Sequence, residues 1–230
     1  MNDIELQGTK LVEIPYFASQ IDKLDKSVLI IGECRGGEGV SETIRELGFT
    51  DVTTTDIREM PEDSIIKGIP GWKHITADFV KLDETTKYDF ILAISVFEHF
   101  GFWFFGANLA TRQEGADLCR WNHDLVGIIK ACKLLKDADS KLMITLPAGP
   151  FMNYEETGEP WLRGYDYRRQ GIVKAELAKN GYKIDNEKFF FSPDCQGWKE
   201  VGPEINSPEN YKAYNPFTPN VIWGFTVKKA

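Results

Sequence analysis

The sequence predicts an α/β fold, a mostly parallel sheet of about seven strands with helices on both faces and an antiparallel last strand. Three observations lead there. Short β-branched or apolar runs alternate with stretches of helical periodicity through the first two thirds of the 230 residues. The run at 88–94 is apolar at nearly every position, as a strand covered on both faces must be. In the last third two strand-like stretches follow each other with no helix between them, and such strands pair antiparallel.

In chain order, Ser27–Ile31 is a β-branched run that stops at Gly32, and a glycine-rich loop follows it. Gly39–Leu47 then repeats apolar residues at Val40, Ile44 and Leu47, with Gly48 placed as a C-terminal cap, so it reads as a helix. Asp51–Thr55, ending on Asp56, is a second strand, and Lys73–Thr76, ending on Ala77 and Asp78, a shorter third. Tyr88–Ile94 is the fourth and ends at Ser95. From Gln113 to Lys136, Leu118, Trp121, Leu125, Ile128, Ile129, Cys132 and Leu135 share one helical face. Lys141–Leu146, stopped by Pro147, is a fifth strand, and Gly171–Lys179 a helix with Gly181 just past its end. Tyr182–Phe191 and Asn220–Lys228 are the closing strands. The segments 149–169 and 192–219, rich in Pro, Gly, Asn and aromatic residues, are expected to be inserted loops of one domain spanning 1–230.

Composition narrows the function classes. With 42% hydrophobic and 27% charged residues the chain is globular, which excludes disordered and fibrous classes. A net charge of -8 argues against a nucleic-acid partner, because phosphates are gripped by clustered Lys and Arg. Cys34, Cys119, Cys132 and Cys195 contain no CxxC pair, so neither a zinc ribbon nor a disulfide framework is suggested; reduced thiols and a cytoplasmic location are expected. No basic segment followed by an apolar stretch opens the sequence, and no apolar run nears the roughly 18 residues of a spanning helix, so no membrane association is expected.

Ligands of open α/β sheets sit at the carboxyl ends of the strands, which directs attention to the residues ending each run. Gly32-Glu-Cys-Arg-Gly-Gly-Glu-Gly39 lets backbone approach a ligand, yet it fits neither GxGxxG nor GxxxxGK[ST], and its plain reading is a tight strand-to-helix turn. Asp56, 24 residues after Gly32, is placed to accept hydrogen bonds from both ribose hydroxyls of an adenosine. Ala77-Asp78-Phe79 offers an acceptor for an adenine amino group and an aromatic wall; equally, Asp78 caps the next turn.

At the fourth end the sequence reads Ile94-Ser-Val-Phe-Glu-His-Phe-Gly101, and a helix and strand follow that run Lys133-Leu-Leu-Lys-Asp-Ala-Asp-Ser-Lys-Leu-Met-Ile-Thr-Leu-Pro147. On these residues the chain resembles the class I S-adenosylmethionine-dependent methyltransferases, over roughly Val28 to Pro147. The resemblance implies a Rossmann-like sheet and S-adenosylmethionine as cofactor. It implies a donor held by Gly32, Glu33, Gly36 and Gly37, a ribose on Asp56 beside Ile57, and an adenine near Ala77, Asp78 and Phe79. The methionine end would lie near Ser95, Val96 and Glu98. Two departures stand out: the acidic residue usual in the first strand is Ile30 here, and the glycine motif is stretched, so Glu33 becomes the candidate for the amino-group contact. The stretch from Glu98 to Gly101 and Leu146-Pro-Ala-Gly-Pro-Phe-Met-Asn153 also resemble methyltransferases of bacterial surface-polysaccharide synthesis that act on sugars.

Methyl transfer needs an acceptor lone pair in line with the sulfonium methyl, exclusion of water and, for a hydroxyl, a base. His99, just past the fourth strand, is the candidate catalytic base; its alternative role is to hold loop backbone together with Glu98. The run 100–106, with Phe102 and Trp103, is too apolar for water and must be core, substrate lid or subunit contact, the last of which would make a homodimer. Asn153, Tyr154, Arg163, Tyr165 and Arg168 suit stacking on a sugar and gripping a phosphate. The expected partner is therefore a small polar acceptor, a sugar or nucleotide-sugar hydroxyl, with amine N-methylation as the alternative. A nicotinamide oxidoreductase would use the same sheet but lacks the glycine fingerprint and a Tyr-x-x-x-Lys pair, and a catalytically inactive domain would explain the stretched loop. Asp117, His123 and Asp124 are the one local group of ligand-type side chains; such spacing arises by chance, and no metal is expected.

Overall fold

The computed structural model describes residues 8–21, 26–36, 39–101, 122–149, 153–156, 159–207 and 220–230, with the backbone alone at 153–156 and 159–162. Eight strands form one sheet: β1 (Val28–Ile31), β2 (Val52–Asp56), β3 (Trp72–Thr76), β4 (Phe90–Ile94), β5 (Lys141–Pro147), β8 (Tyr182–Phe191), β9 (Lys199–Val201) and β10 (Val221–Lys229). A separate hairpin is made by β6 (Asn153–Glu156) and β7 (Glu159–Arg163). Along the sheet the order is β3-β2-β1-β4-β5-β10-β8-β9; the first five strands are parallel, and β10, β8 and β9 each run antiparallel to the strand before them.

Alternation along the central strands builds two cores. Val28 and Ile30 of β1, with Phe90, Leu92 and Ile94 of β4, face α1 (Lys10–Ala18) and α2 (Val40–Glu46), meeting Ile14, Phe17, Val40 and Ile44. Leu29 and Ile31, with Ile91 and Ala93, belong to the cluster on the other face, together with Leu125 and Ile128 of α3 (His123–Lys133) and with Val173 and Leu177 of α4 (Tyr167–Lys179), which packs on β8. On the second face Trp223 of β10 is fully buried and stacks at 14° to Phe189 of β8. Among the described residues no helix is long and apolar enough to cross a membrane.

Several boundaries differ from expectation. The sheet has eight strands, not seven, because β9 forms inside 192–219 by pairing with Phe189–Phe191, and three residues are too few to show a period in sequence. The segment 149–169 holds the β6–β7 hairpin and the start of α4, which begins at Tyr167 rather than Gly171 because the Asp166 carboxylate caps it by accepting from Arg169 N. Of the long helix expected over 113–136, the described part is His123–Lys133, and residues 113–121 lie outside the described residues. Helix α1 was not expected, since Pro15 in its middle reads as a break.

Gly71 turns the chain into β3 at φ +82°, and a Cβ there would lie 2.1 Å from the Thr50 carbonyl oxygen. Backbone cannot move aside as a side chain can, so Gly71→Ala is expected to destabilise by roughly 1–3 kcal/mol or more, read from urea unfolding.

Candidate functional site

The strand order reverses between β1 and β4, so the connections leaving these two neighbours diverge and open a crevice at their carboxyl ends. Gly32 follows β1 and Ser95–Val96 follow β4, which puts both segments at this crevice. They touch: Gly32 adopts φ +80°, and a Cβ on it would lie 2.3 Å from Val96 Cγ2. Ser95 is held at φ 51°, a conformation that a non-glycine residue enters at some cost and that the surroundings must enforce. Its N–H donates to the Thr145 carbonyl at 3.2 Å and to Thr145 Oγ1 at 3.1 Å.

The loop after β1 is stitched to β2. Gly32 N and Glu33 N both donate to the Thr55 carbonyl, at 2.7 and 3.2 Å. Glu33 folds back on its own loop, Oε1 accepting from Gly36 N at 2.7 Å and from Arg35 N at 3.2 Å. Gly37 lies outside the described residues.

Asp56, at the tip of β2, is buried and grips Arg58. Arg58 Nε donates to Oδ1 at 3.0 Å and Nη2 to Oδ2 at 2.7 Å, while the Arg58 amide adds 2.8 Å to Oδ1. Between them Ile57 is 55% exposed, an apolar side chain offered to solvent at the carboxyl edge of the sheet. Cys34 is buried close by, and burial together with the Asp56 charge pushes its thiol up to about 11, so it stays protonated.

At the third strand end the residues take structural parts. Asp78 caps a short 3-10 turn by accepting from Val80 N at 3.1 Å. Phe79 is buried against Phe97 and Phe100, with ring centroids 6.4 and 6.2 Å away, so it belongs to the core and not to an exposed wall. Ala77 carries its backbone N–H to the Asp56 carbonyl at 2.9 Å.

Past β4, Phe97–His99 form one 3-10 turn in which Glu98 is buried and His99 half-buried. Burial, added to by the nearby Glu13 charge, pushes the Glu98 carboxyl up to about 8, so it is largely protonated at neutral pH. Its Oε2 is buried without a hydrogen-bond partner among the described residues.

Glu13, which sequence reasoning missed, comes from α1 and is fully buried beside these groups. It accepts hydrogen bonds from Ser95 Oγ and, at 2.5 Å, from Thr145 Oγ1, and its Oε2 lies 3.3 Å from Lys10 Nζ. Burial alone would raise this carboxyl, but the Lys10 ammonium and the hydroxyl donors outweigh it, and the net shift is downward. The one available signal was a carboxylate four residues before the core residue Phe17, on the same helical face.

The residues expected to bind the acceptor separate. Arg163 and Tyr165 are fully buried around Asp124, the first-turn acid of α3. Arg163 Nη1 lies 2.9 Å from Asp124 Oδ1, Arg169 Nη2 meets the same oxygen, and Tyr165 Oη donates to Oδ2 at 2.8 Å. Burial and the Asp124 charge hold the Tyr165 phenol well above its usual range. Arg168 is exposed on α4, its Nε donating to Tyr167 Oη at 2.8 Å. Asn153 and Tyr154 lie on β6 with only their backbone described, and Phe102, Trp103 and Asp117 lie outside the described residues. No group of three or more His, Cys, Asp or Glu able to hold a metal occurs among the described residues.

No family model and no curated protein matches the chain by sequence. Its fold is shared with solved class I S-adenosylmethionine-dependent methyltransferases. The 1,6-didemethyltoxoflavin-N1-methyltransferase of Burkholderia thailandensis is similar at a TM-score of 0.61 and 13% identity, over 97% of this chain and 79% of that one. The N-methyltransferase NodS of Bradyrhizobium japonicum WM9 gives 0.54 and 10%, over 96% and 94%. A putative S-adenosylmethionine-dependent methyltransferase of Listeria monocytogenes gives 0.56 and 13%, over 96% and 99%.

Because Glu98 titrates near 8 in the folded chain and near 4.5 when unfolded, the folded state binds more protons between those values. Its contribution therefore destabilises progressively as pH rises through that window. The melting temperature of the wild type is expected to fall relative to that of Glu98→Gln between pH 5 and pH 8; parallel curves would show that Glu98 is ionised throughout.

Proposed function

We propose that the chain is an S-adenosylmethionine-dependent methyltransferase acting on a small polar acceptor. The observation that carries this reading is the acid at the tip of β2, Asp56, beside the Gly32 turn at the strand-order reversal, within a sheet order shared with methyltransferases. The surrounding residues fit such a donor. Asp56 presents two carboxylate oxygens to a pair of ribose hydroxyls, with Arg58 sharing or yielding them. Ile57 supplies exposed apolar surface for a purine face, and the left-handed Gly32 keeps its backbone clear of a side chain. The buried carboxylate of Glu13, held ionised, suits a cationic ligand end.

When bound, the donor would supply a methyl group on a positively charged sulfur for transfer to an acceptor lone pair. The chain's own share of the work is to position and to dry the site. Gly32, Val96 and Ser95 meet at the floor of the crevice, and the rings of Phe97 and Phe100, 5.0 Å apart, anchor the segment that follows them in the core against Gly127 of α3. His99, half-buried at the end of the 3-10 turn, takes the acceptor's proton on an imidazole nitrogen.

The acceptor is a sugar or nucleotide-sugar hydroxyl in the first reading, resting on the sequence resemblance and the aromatic segments. Arg163 and Tyr165 give it no support, being turned inward to Asp124. An amine acceptor is the second reading, favoured by the N-methyltransferases among the similar structures. Small basic acceptors would also suit the net charge of -8.

Calorimetric titration with S-adenosylmethionine and S-adenosylhomocysteine is expected to show binding that falls at least tenfold in Asp56→Ala, since charge-assisted hydrogen bonds to two hydroxyls are lost. NADH binding in place of these would sink the reading. In the acceptor reaction His99→Ala is expected to lower kcat by about 10²-fold or more for a hydroxyl acceptor and far less for an amine, which needs less help from a base.

A further inference from the structure

The carboxylate of Glu13 is out of place as a piece of core. It lies on a helix whose buried neighbours are Val12, Ile14, Tyr16 and Phe17, yet it is fully withdrawn from water. Burying an ionised carboxylate is costly unless its oxygens are satisfied, and here one of them is unusually well provided. Oε1 takes the hydroxyls of Ser95 and Thr145, which belong to the carboxyl ends of β4 and β5. Oε2 is buried, accepts no hydrogen bond among the described residues, and faces the Lys10 ammonium at 3.3 Å. The carboxylate is thus anchored on one side and directed at an ammonium on the other.

Its position is that of the crevice. Ser95 is chain neighbour to Val96, whose methyl group lies against Gly32, so Glu13, Ser95, Val96 and Gly32 form one contiguous line across the strand-order reversal. Strand β1 supplies no acid here: Ile30 is packed into the core with Ile14 and Phe17 of α1, on the face that α1 covers. Glu33, the sequence's own candidate, has Oε1 committed to the amides of Gly36 and Arg35. The helix therefore brings a carboxylate to the face on which the strand has none. Ser95, at φ 51°, is held there with its hydroxyl on Glu13 and its N–H on Thr145.

We propose that Glu13 receives the α-ammonium group of the methyl donor, with Ser95 and Thr145 as the hydroxyls that position its carboxylate. This rests on the donor reading above. The Lys10 ammonium marks where a cation sits on Oε2, and the donor's amine takes that place. Lys10 then remains nearby as a positive charge for the donor's carboxylate, so the pair matches an amino-acid zwitterion.

The test separates the two ends of the ligand. S-adenosylhomocysteine and 5′-methylthioadenosine share the adenosine and the thioether sulfur, and only the first carries the amino acid. Both are titrated calorimetrically into the wild type and Glu13→Gln, with circular dichroism and thermal unfolding as controls for the fold. Glu13→Gln is expected to weaken S-adenosylhomocysteine by about tenfold or more and methylthioadenosine by less than twofold, because one charge-assisted contact is lost from one ligand only. Equal weakening of both ligands, or of neither, overturns the assignment. If Glu13→Gln does not fold, Glu13→Asp takes its place with the same selective loss expected, and the wild type is titrated with the desamino analogue of S-adenosylhomocysteine. Equal affinity for the analogue and the parent also overturns it. A wild type that binds neither nucleoside removes the donor reading itself, an outcome distinct from loss of the Glu13 contact.

Discussion

The central pair of strands, β1 and β4, is covered on both faces, and this requirement places nearly everything else. Their backbone groups are satisfied only by neighbouring strands, and their side chains alternate between two separate apolar clusters. Four residues, Val28 to Ile31, are buried without exception, so helices must pack on each side. Because the order of strands reverses between these two, their connections leave in opposite directions along the sheet. The gap at their carboxyl ends is a by-product of that divergence. Polar side chains meet there, as Ser27, Asp89 and Lys136 do at the opposite ends of the same two strands.

The polar groups gathered there hold one another in distinct states. Asp56 is matched by a bidentate guanidinium and has a protonated thiol beside it. Glu13 is matched by an ammonium and two hydroxyls and stays ionised, whereas Glu98, with burial and a like charge against it, keeps its proton at neutral pH. Two carboxyl groups in one neighbourhood thus differ in charge because of what each accepts. The Asp124 cluster is a separate solution on the α3 side, where two arginines and a tyrosine converge on one carboxylate and join α3, β7 and α4. Such a cluster ties chain segments into one arrangement more than it adds net stability, since the desolvation of its charges offsets much of their attraction.

The parallel half of the fold was legible because most of its strands are apolar or β-branched runs that stop abruptly, at Gly32, Asp56, Ser95 and Pro147. Asp56 and Ser95 stood out for the same reason, as polar residues that end such runs. The reading weakened where a side chain had two equally plausible jobs. Asp78 could meet a ligand or cap a turn, and its Oδ1 caps while Oδ2 stays buried without a hydrogen bond among the described residues; Phe79 packs into the core. The arginines of the 149–169 segment looked like a gripping surface because nothing in one dimension shows that Asp124, some 40 residues away, draws Arg163 inward.

By itself the sequence determined the alternation of strands and helices and the residues that end the central strands, since both follow from local periodicity and the short range of turn chemistry. It also determined, through Ile30, that the first strand carries no acid. Only the tertiary structure decided which charges face each other. Glu13 meets Ser95 and Thr145 across separations of 82 and 132 residues, on a helix that Pro15 disguises. Contacts at that range leave no periodic trace, because they are set by the packing of α1 across the sheet and not by the spacing of any residues along the chain.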